Sequence, residues 1–222
     1  MKFIKKYLSY LIPIPEKSMY SPVSGKVEIN WNNGHRVIDT KTANYSYGNL
    51  QKLLKFGLKK LPNTYIANCN EILILGVAGG SVIETLRKDY RYTKNITGIE
   101  IDPAMIYWMN NEFQIHNNYN TTIIEIDANY FVRNTKNKYD LIVIDIFIDT
   151  DMPNFLFERS FIEHTFKILN PSGYIIFNTI FKNKTHKERN NTYYQNIQQY
   201  AKEVKRFDNL DGSNEIFLIK KI

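Results

Sequence analysis

Between residues 72 and 178, short and nearly continuous apolar runs alternate with longer segments whose apolar residues recur at helical spacing. Ile72 to Leu75, Ile96 to Ile99 and residues 122–126, 140–145 and 173–178 are the short runs. Runs of this length without polar alternation predict strands buried on both faces. The segments between them predict helices over 80–90, 103–116, 128–135 and 158–169. Such alternation implies a mostly parallel sheet with helices on both sides.

The flanks follow other patterns. Phe3, Ile4, Tyr7, Leu8 and Leu11 lie at helical spacing and predict an amphipathic helix over 2–12, stopped by Pro13 and Pro15. Val27, Ile29 and Trp31 alternate with polar residues up to Asn32-Asn33-Gly34, and Val37 and Ile38 follow. Asn-Gly between such runs signals a hairpin, so 21–40 reads as a small antiparallel β-element. Residues 42–61 lead from a polar aromatic segment into a helix with Leu50, Leu53, Leu54 and Leu58 on one face, ended by Pro62. Near the C-terminus the pattern predicts a helix over 193–203. Two short strands, Val204 to Phe207 and Ile216 to Ile219, then meet at Asp211-Gly212. A terminal antiparallel hairpin separates a methyltransferase-type sheet from a dinucleotide-binding one. The predicted class is α/β, a doubly wound, mostly parallel sheet of that type behind a small N-terminal β-element. The predicted units are 1–62 and 63–222.

Chemistry gathers at the carboxyl ends of the predicted strands. Gly76, Ala78, Gly79 and Gly80 form the turn after the first of them, where a backbone with little side chain lets a ligand approach. Glu100 ends the second, 24 positions beyond Gly76, where an acid accepts hydrogen bonds from ribose hydroxyls. A dinucleotide fingerprint needs Gly at the first, third and sixth positions of the turn, and here the third and sixth are Ala78 and Ser81. A pyrophosphate is therefore disfavoured, whereas S-adenosylmethionine needs only the tight turn and room for its sulfonium arm. Asp127 and Ala128 close the third strand, placed to meet an adenine or to cap helix 128–135. Asp145 closes the fourth and opens the loop containing Asp149 and Asp151. A carboxylate there can orient or deprotonate an amine or hydroxyl.

Composition narrows the alternatives. The net charge of +7 arises from 29 Lys and Arg against 22 Asp and Glu, and it invites an anionic partner. The excess is scattered over Lys5-Lys6, Lys59-Lys60, Lys202 to Arg206 and Lys220-Lys221, which reads as solvated faces rather than a nucleic-acid site. Cys69 is the sole cysteine, which excludes an intrachain disulfide and fits a reducing, cytoplasmic setting. No run approaches the roughly 18 apolar residues of a membrane span. His35, His116, His164 and His186 show no metal-ligand spacing with each other or with Cys69, so no metal site is expected.

The order of these motifs resembles the spermidine synthase superfamily across nearly the whole chain. The resemblance takes in the N-terminal β-element, Asn44-Tyr-Ser-Tyr-Gly48, the glycine turn, Glu100-Ile-Asp102, Asp127-Ala128, and Asp145 with Pro153 behind it. It implies an S-adenosylmethionine or decarboxylated S-adenosylmethionine donor. It implies Glu100 and Ile101 at the nucleoside, Asp127 and Ala128 at adenine, and Asp145 as the base that activates a small-molecule acceptor, possibly an amine in the family's manner. Tyr47, Asp149 and Asp151 fall to the acceptor, and a homodimer is implied through the N-terminal β-element. Two departures weigh against a polyamine acceptor. Aminopropyltransferases carry an aspartate where Gly79 stands, and Asp-Ser-Ser-Asp-Pro where this chain reads Asp145-Ile-Phe-Ile-Asp149. Methyl transfer to another acceptor is the leading expectation, with aminopropyl transfer second and a catalytically silent scaffold third.

Overall fold

The computed structural model describes residues 2–40, 44–115, 120–148, 151–210 and 212–222. Helix α1 (Lys2–Leu8) precedes β1 (Ile14–Ser21), β2 (Gly25–Asn32), β3 (His35–Asp39) and β4 (Asn44–Ser46), an antiparallel sheet in that order. Strand β1 lies outside the predicted element because Pro13 and Pro15 mark a break in the sequence pattern. Pro15 is tolerated because β1 is an edge strand, and the ladder shifts register between Pro15 and Lys17. Helix α1 ends at Leu8, four residues short of the expectation, and Leu11 and Ile12 follow in a turn.

Helices α2 (Gly48–Lys59) and α3 (Tyr65–Asn68) lead into the main domain. Its elements are β5 (Glu71–Leu75), α4 (Ser81–Lys88), β6 (Asn95–Glu100), α5 (Pro103–Asn111), β7 (Thr121–Glu125), α6 (Ala128–Asn134) and β8 (Tyr139–Ile144). After a 3-10 turn at Asn154–Phe157 come α7 (Arg159–Ile168), β9 (Leu169–Ile180), α8 (Lys184–Ile197), β10 (Ala201–Leu210) and β11 (Asn214–Lys221). The seven strands lie in the order β10-β11-β9-β8-β5-β6-β7, with β11 antiparallel to its neighbours. The predicted fold class therefore holds, and the five predicted strands are all present as β5 to β9. Strand β7 nevertheless lies at the sheet edge with none of its residues fully buried, not buried on both faces as expected.

Side chains alternate across this sheet. Leu73, Leu75, Ile142, Ile144, Ile175 and Phe177 pack with Phe131 of α6, Phe161 and Phe166 of α7, and Tyr193 and Ile197 of α8. Ile72, Ile74, Leu141, Val143 and Ile176 pack on the other side with Leu54 and Leu58 of α2 and Ile83 and Leu86 of α4. Both faces being covered is why these strands read as continuous apolar runs. Helix α2, expected within 1–62, thus belongs to the main core. An added Cβ at Gly57 would lie 3.0 Å from Ile176, so the missing side chain lets α2 sit close on the sheet.

Two further helix predictions are corrected. The C-terminal helix spans 184–197 rather than 193–203. Its first turns are polar, Asn183 caps it by accepting from the His186 amide, and only Asn190, Tyr193 and Ile197 are buried. Apolar spacing therefore marked only its C-terminal half, and residues 201–203 belong to β10. Helix α5 ends at Asn111 instead of 116; Gln114 turns the chain through the left-handed region, and Ile115 returns its amide to the Met109 carbonyl. His116, the predicted end of that helix, lies outside the described residues, as do Asp149 and Asp211.

The N-terminal sheet rests on α5, with Val27, Ile29 and Ile38 against Met105 and Trp108. Arg36 pairs with Glu16 at 2.8 Å and Glu112 at 2.7 Å at the same seam. Cys69 is buried, and burial pushes its thiol pKa up to about 12, leaving an inert side chain. Among the described residues no helix is long and apolar enough to cross a membrane.

Candidate active site

Strand β5 lies at the switch point of the sheet, with β6 and then β7 on one side and β8 and then β9 on the other. Crossovers leave the sheet in opposite directions there, and a crevice opens at the carboxyl ends. A cavity of about 340 Å³ occupies it, within the range of small-molecule sites. Gly76, Ala78, Glu100, Ile101, Asp127, Ala128 and Asp145 all line it. The topology thus brings together residues predicted from four separate strand ends.

The turn after β5 is shaped by its neighbours. Gly76 has φ +86°, and a Cβ there would stand 2.2 Å from the Asp145 carbonyl oxygen, so glycine lets the ends of β5 and β8 pass. Ala78 also has positive φ, 45°, which costs an alanine about 1–2 kcal/mol. That conformation aims its amide at Glu100 Oε2, 2.7 Å away. Glu100 Oε1 accepts from the amides of Ile101 and Asp102, each at 2.9 Å. The side chain is buried, and burial raises its pKa while these amides oppose the rise. One carboxylate therefore fixes the glycine turn against the end of β6.

Gly79 and Gly80 line the back of the turn, not the cavity. A Cβ at Gly79 would lie 2.5 Å from Ile38 Cδ1 and 3.0 Å from Ser46, and one at Gly80 would meet Ile115 and Met109 at 3.0 Å. Tyr47 sits behind the turn as well. It is 6% exposed, stacks on Phe113 at 4.4 Å, and donates its hydroxyl to the Gly79 carbonyl at 3.0 Å. Its placement is that of a brace, away from the acceptor position the sequence suggested. Asp151 is exposed, accepts from the Met152 amide at 2.8 Å and does not line the cavity.

Asp127 caps α6, accepting from the Tyr130 amide at 2.8 Å, while lining the cavity with Ala128. Capping and facing a ligand are thus compatible in one residue. Asp145 anchors its amide on the Leu75 carbonyl at 2.8 Å, and Oδ1 accepts from Asn178 Nδ2 at 2.9 Å. Its pKa is raised to about 7, chiefly by burial; the Asn178 bond opposes the rise and the charge of Glu100 adds to it. A carboxylate half-ionised near neutrality suits general-base work.

Other lining residues were not anticipated. Val23 and Ser24 come from the β1–β2 turn and Asn49, Leu50 and Leu53 from α2. Asp102 lines it too; it caps α5 through the Ala104 amide and accepts the hydroxyls of Ser21 at 2.5 Å and Ser24 at 2.7 Å. That clasp fastens the N-terminal sheet to the end of β6 beside the cavity. Lys182, Ser213 and Asn214 close the opposite end beside Ile146, Phe147, Phe155 and Ile180. Asn178, which bonds to Asp145 and does not itself line the cavity, left a signal in the sequence as a polar residue in the run of β9, and buried polar groups are the informative ones.

Sheet order and cavity define the class, the seven-stranded α/β fold shared by methyltransferases and spermidine synthases. Spermidine synthase from Thermotoga maritima superposes with a TM-score of 0.71 at 18% identity, covering 94% of this chain and 73% of that one. Human methyltransferase-like protein 13, in its complex with SAH, gives 0.67 at 20% identity over 79% and 83%. The chain belongs to the spermine/spermidine synthase family, whose domain model matches residues 53–209. A polyamine aminopropyltransferase of Vibrio vulnificus (strain CMCP6) is 30% identical over 125 residues, 55% of this chain and 42% of that protein. A probable polyamine aminopropyl transferase of Bifidobacterium longum (strain NCC 2705) is 29% identical over 111 residues, 50% and 24% respectively. The matched stretches span less than half the length of these relatives.

Proposed function

We propose that this protein is a group transferase with S-adenosylmethionine or its decarboxylated form as donor, and that Asp145 activates the acceptor. The observation that carries the reading is the convergence of Gly76, Ala78, Glu100, Asp127 and Asp145 on one cavity at the switch point. The cavity fits a phosphate-free nucleoside. Its turn has Ala78 where a pyrophosphate would need glycine, and its polar lining includes the carboxylates of Glu100 and Asp127, which can accept from ribose hydroxyls and an adenine amine. The donor supplies an electrophilic carbon on a sulfonium. The acceptor's lone pair forms the new bond to that carbon, the carbon–sulfur bond breaks with its electron pair going to sulfur, and the acceptor proton passes to Asp145. Glu100, Ile101, Asp127 and Ala128 hold the nucleoside, while Gly76 and Ala78 shape the turn. Gly79 and Gly80 allow its close packing, and alignment of the partners supplies much of the rate.

Methyl transfer is the first reading, and Gly79 favours it. The family's aspartate for the aminopropyl amine would require Ile38 to shift, since even a Cβ would stand 2.5 Å from its Cδ1. The names of the Vibrio and Bifidobacterium relatives favour the second, aminopropyl transfer to a polyamine. Thermal shifts with S-adenosylmethionine, its decarboxylated form, S-adenosylhomocysteine, methylthioadenosine and NAD separate them, because a ligand stabilises the state it binds. The first reading expects the largest shift with S-adenosylmethionine or S-adenosylhomocysteine. A preference for the decarboxylated form moves the assignment to aminopropyl transfer, and no shift with any adenosyl ligand removes the enzyme reading. The reading extends to a cytoplasmic homodimer through the N-terminal sheet, on the family resemblance alone; sedimentation velocity at two concentrations tests the dimer.

A further inference from the structure

We propose that Asn178 and Asn214 form a positioning relay that holds the Asp145 carboxylate in its ionised, cavity-facing arrangement; the inference rests on the role assigned to Asp145 above. Asn214, the first residue of β11, donates Nδ2 to Asn178 Oδ1 at 2.9 Å. Asn178, on β9, donates Nδ2 to Asp145 Oδ1 at 2.9 Å. Three strands adjacent in the sheet are therefore joined at their cavity ends by side chains, beyond their ladders.

The direction of the relay carries the argument. An amide can face a carboxyl with either its oxygen or its nitrogen, and a carboxylate can only accept. Asn178 is 0% exposed, so a flipped amide would set its oxygen against a carboxylate with no water to intervene. The donation from Asn214 occupies Asn178 Oδ1 and thereby holds Nδ2 towards Asp145. A protonated Asp145 would favour the flipped amide, to which its hydroxyl could donate, and Asn214 opposes that flip. The relay therefore supports the ionised base against the burial that disfavours it. It also pins Oδ1 and leaves Oδ2, which no donor among the described residues meets, for the acceptor proton. The other ionisable groups lining this cavity are Glu100, Asp102, Asp127 and Lys182. Glu100 raises the Asp145 pKa, so the relay also offsets a neighbouring acid.

The test is the titration of Asp145 in the full chain, followed by carboxyl 13C NMR and assigned by the signal lost in Asp145→Asn. Asn178→Leu should tighten proton binding at Asp145 about tenfold, as loss of one bond to a charged group predicts. Asn214→Ala should move it the same way by less. Should Asn178→Leu not fold, Asn178→Ser and Asn214→Ala carry the test, because Asn214 sits at the cavity rim. An unchanged titration in folded Asn214→Ala and in a folded Asn178 variant overturns the relay. Methylthioadenosine affinity, read by calorimetry, should be unchanged in the folded Asn178 variants, whose side chain does not line the cavity. Failure of methylthioadenosine to bind the wild-type protein would count against the transferase reading, whereas the titration result stands independently of any ligand.

Discussion

The two ends of the cavity are built in different ways. At the β6–β7 end, each carboxylate takes at least one backbone amide close to it in sequence: Glu100 from Ile101 and Asp102, Asp102 from Ala104, and Asp127 from Tyr130. Only then come the more distant Ala78 amide on Glu100 and the Ser21 and Ser24 hydroxyls on Asp102. At the β8–β9–β11 end, Asp145 is held by side chains 33 and then 36 positions further along the chain. Backbone-held groups are fixed as soon as the strand–helix turn forms, and they leave the proposed nucleoside end legible as a motif. Side-chain-held groups depend on three strands meeting, and they can diverge while the fold persists. That asymmetry accounts for the difference between the proposed nucleoside end, whose strand-end acids resemble the family pattern, and the proposed acceptor end, where Ile146-Phe147-Ile148 departs from it.

The largest expected break lies at the acceptor end. Asp145→Asn should lower turnover by about 10²–10⁴-fold while leaving methylthioadenosine affinity unchanged, since only proton transfer is lost. Full turnover in that variant would remove the residue's assigned role. The same group gives a pH signature. Its folded pKa of about 7 lies above the ordinary value of 3.8, so the folded state binds the extra proton between those limits. Stability contributed by the protonated form is present at low pH and is lost as pH rises from about 4 to about 7. Melting curves should therefore show Asp145→Asn gaining on the wild type across that window and holding its lead above pH 7. A constant difference would place the carboxyl in an ordinary, hydrated setting.

Glu100→Ala breaks the nucleoside end instead. It strands the amides of Ala78, Ile101 and Asp102, should cost about 3 kcal/mol of stability, and should weaken methylthioadenosine about 100-fold or more. If both variants damaged adenosyl binding equally, the division of the cavity into two ends would be wrong. Gly79→Asp should cost about 1–3 kcal/mol through its clash with Ile38, and Ile38→Ala in the same chain should recover part of it. Denaturant midpoints measure both. A selective gain for decarboxylated S-adenosylmethionine in that double variant would mean the family's acid site is latent here. The smallest effect belongs to the clasp: Ser21→Ala or Ser24→Ala should each cost about 1 kcal/mol and loosen the β1–β2 turn, read as faster amide exchange at Val23 and Ser24.

Pattern and spacing made β5, β6, β8 and β9 legible because strands buried on both faces leave continuous apolar runs, and β7 appears at its run too although it is an edge strand with no fully buried residue. The strand-end residues Gly76, Glu100, Asp127 and Asp145 were legible because each terminates such a run. Helix α8 was misplaced because two buried turns inside a polar helix leave too thin a stripe, and β1 was missed because an edge strand tolerates Pro15. Local chemistry thus determined the class of sheet, the position of the crevice and the four residues that face it. Tertiary structure alone decided that Tyr47 braces the glycine turn, that Ser21 and Ser24 clasp Asp102, and that Asn178 and Asn214 hold Asp145. The physical reason is range. A turn or a cap is fixed by neighbours a few residues away, whereas these contacts join residues 32 to 81 positions apart and exist only once the sheets have packed.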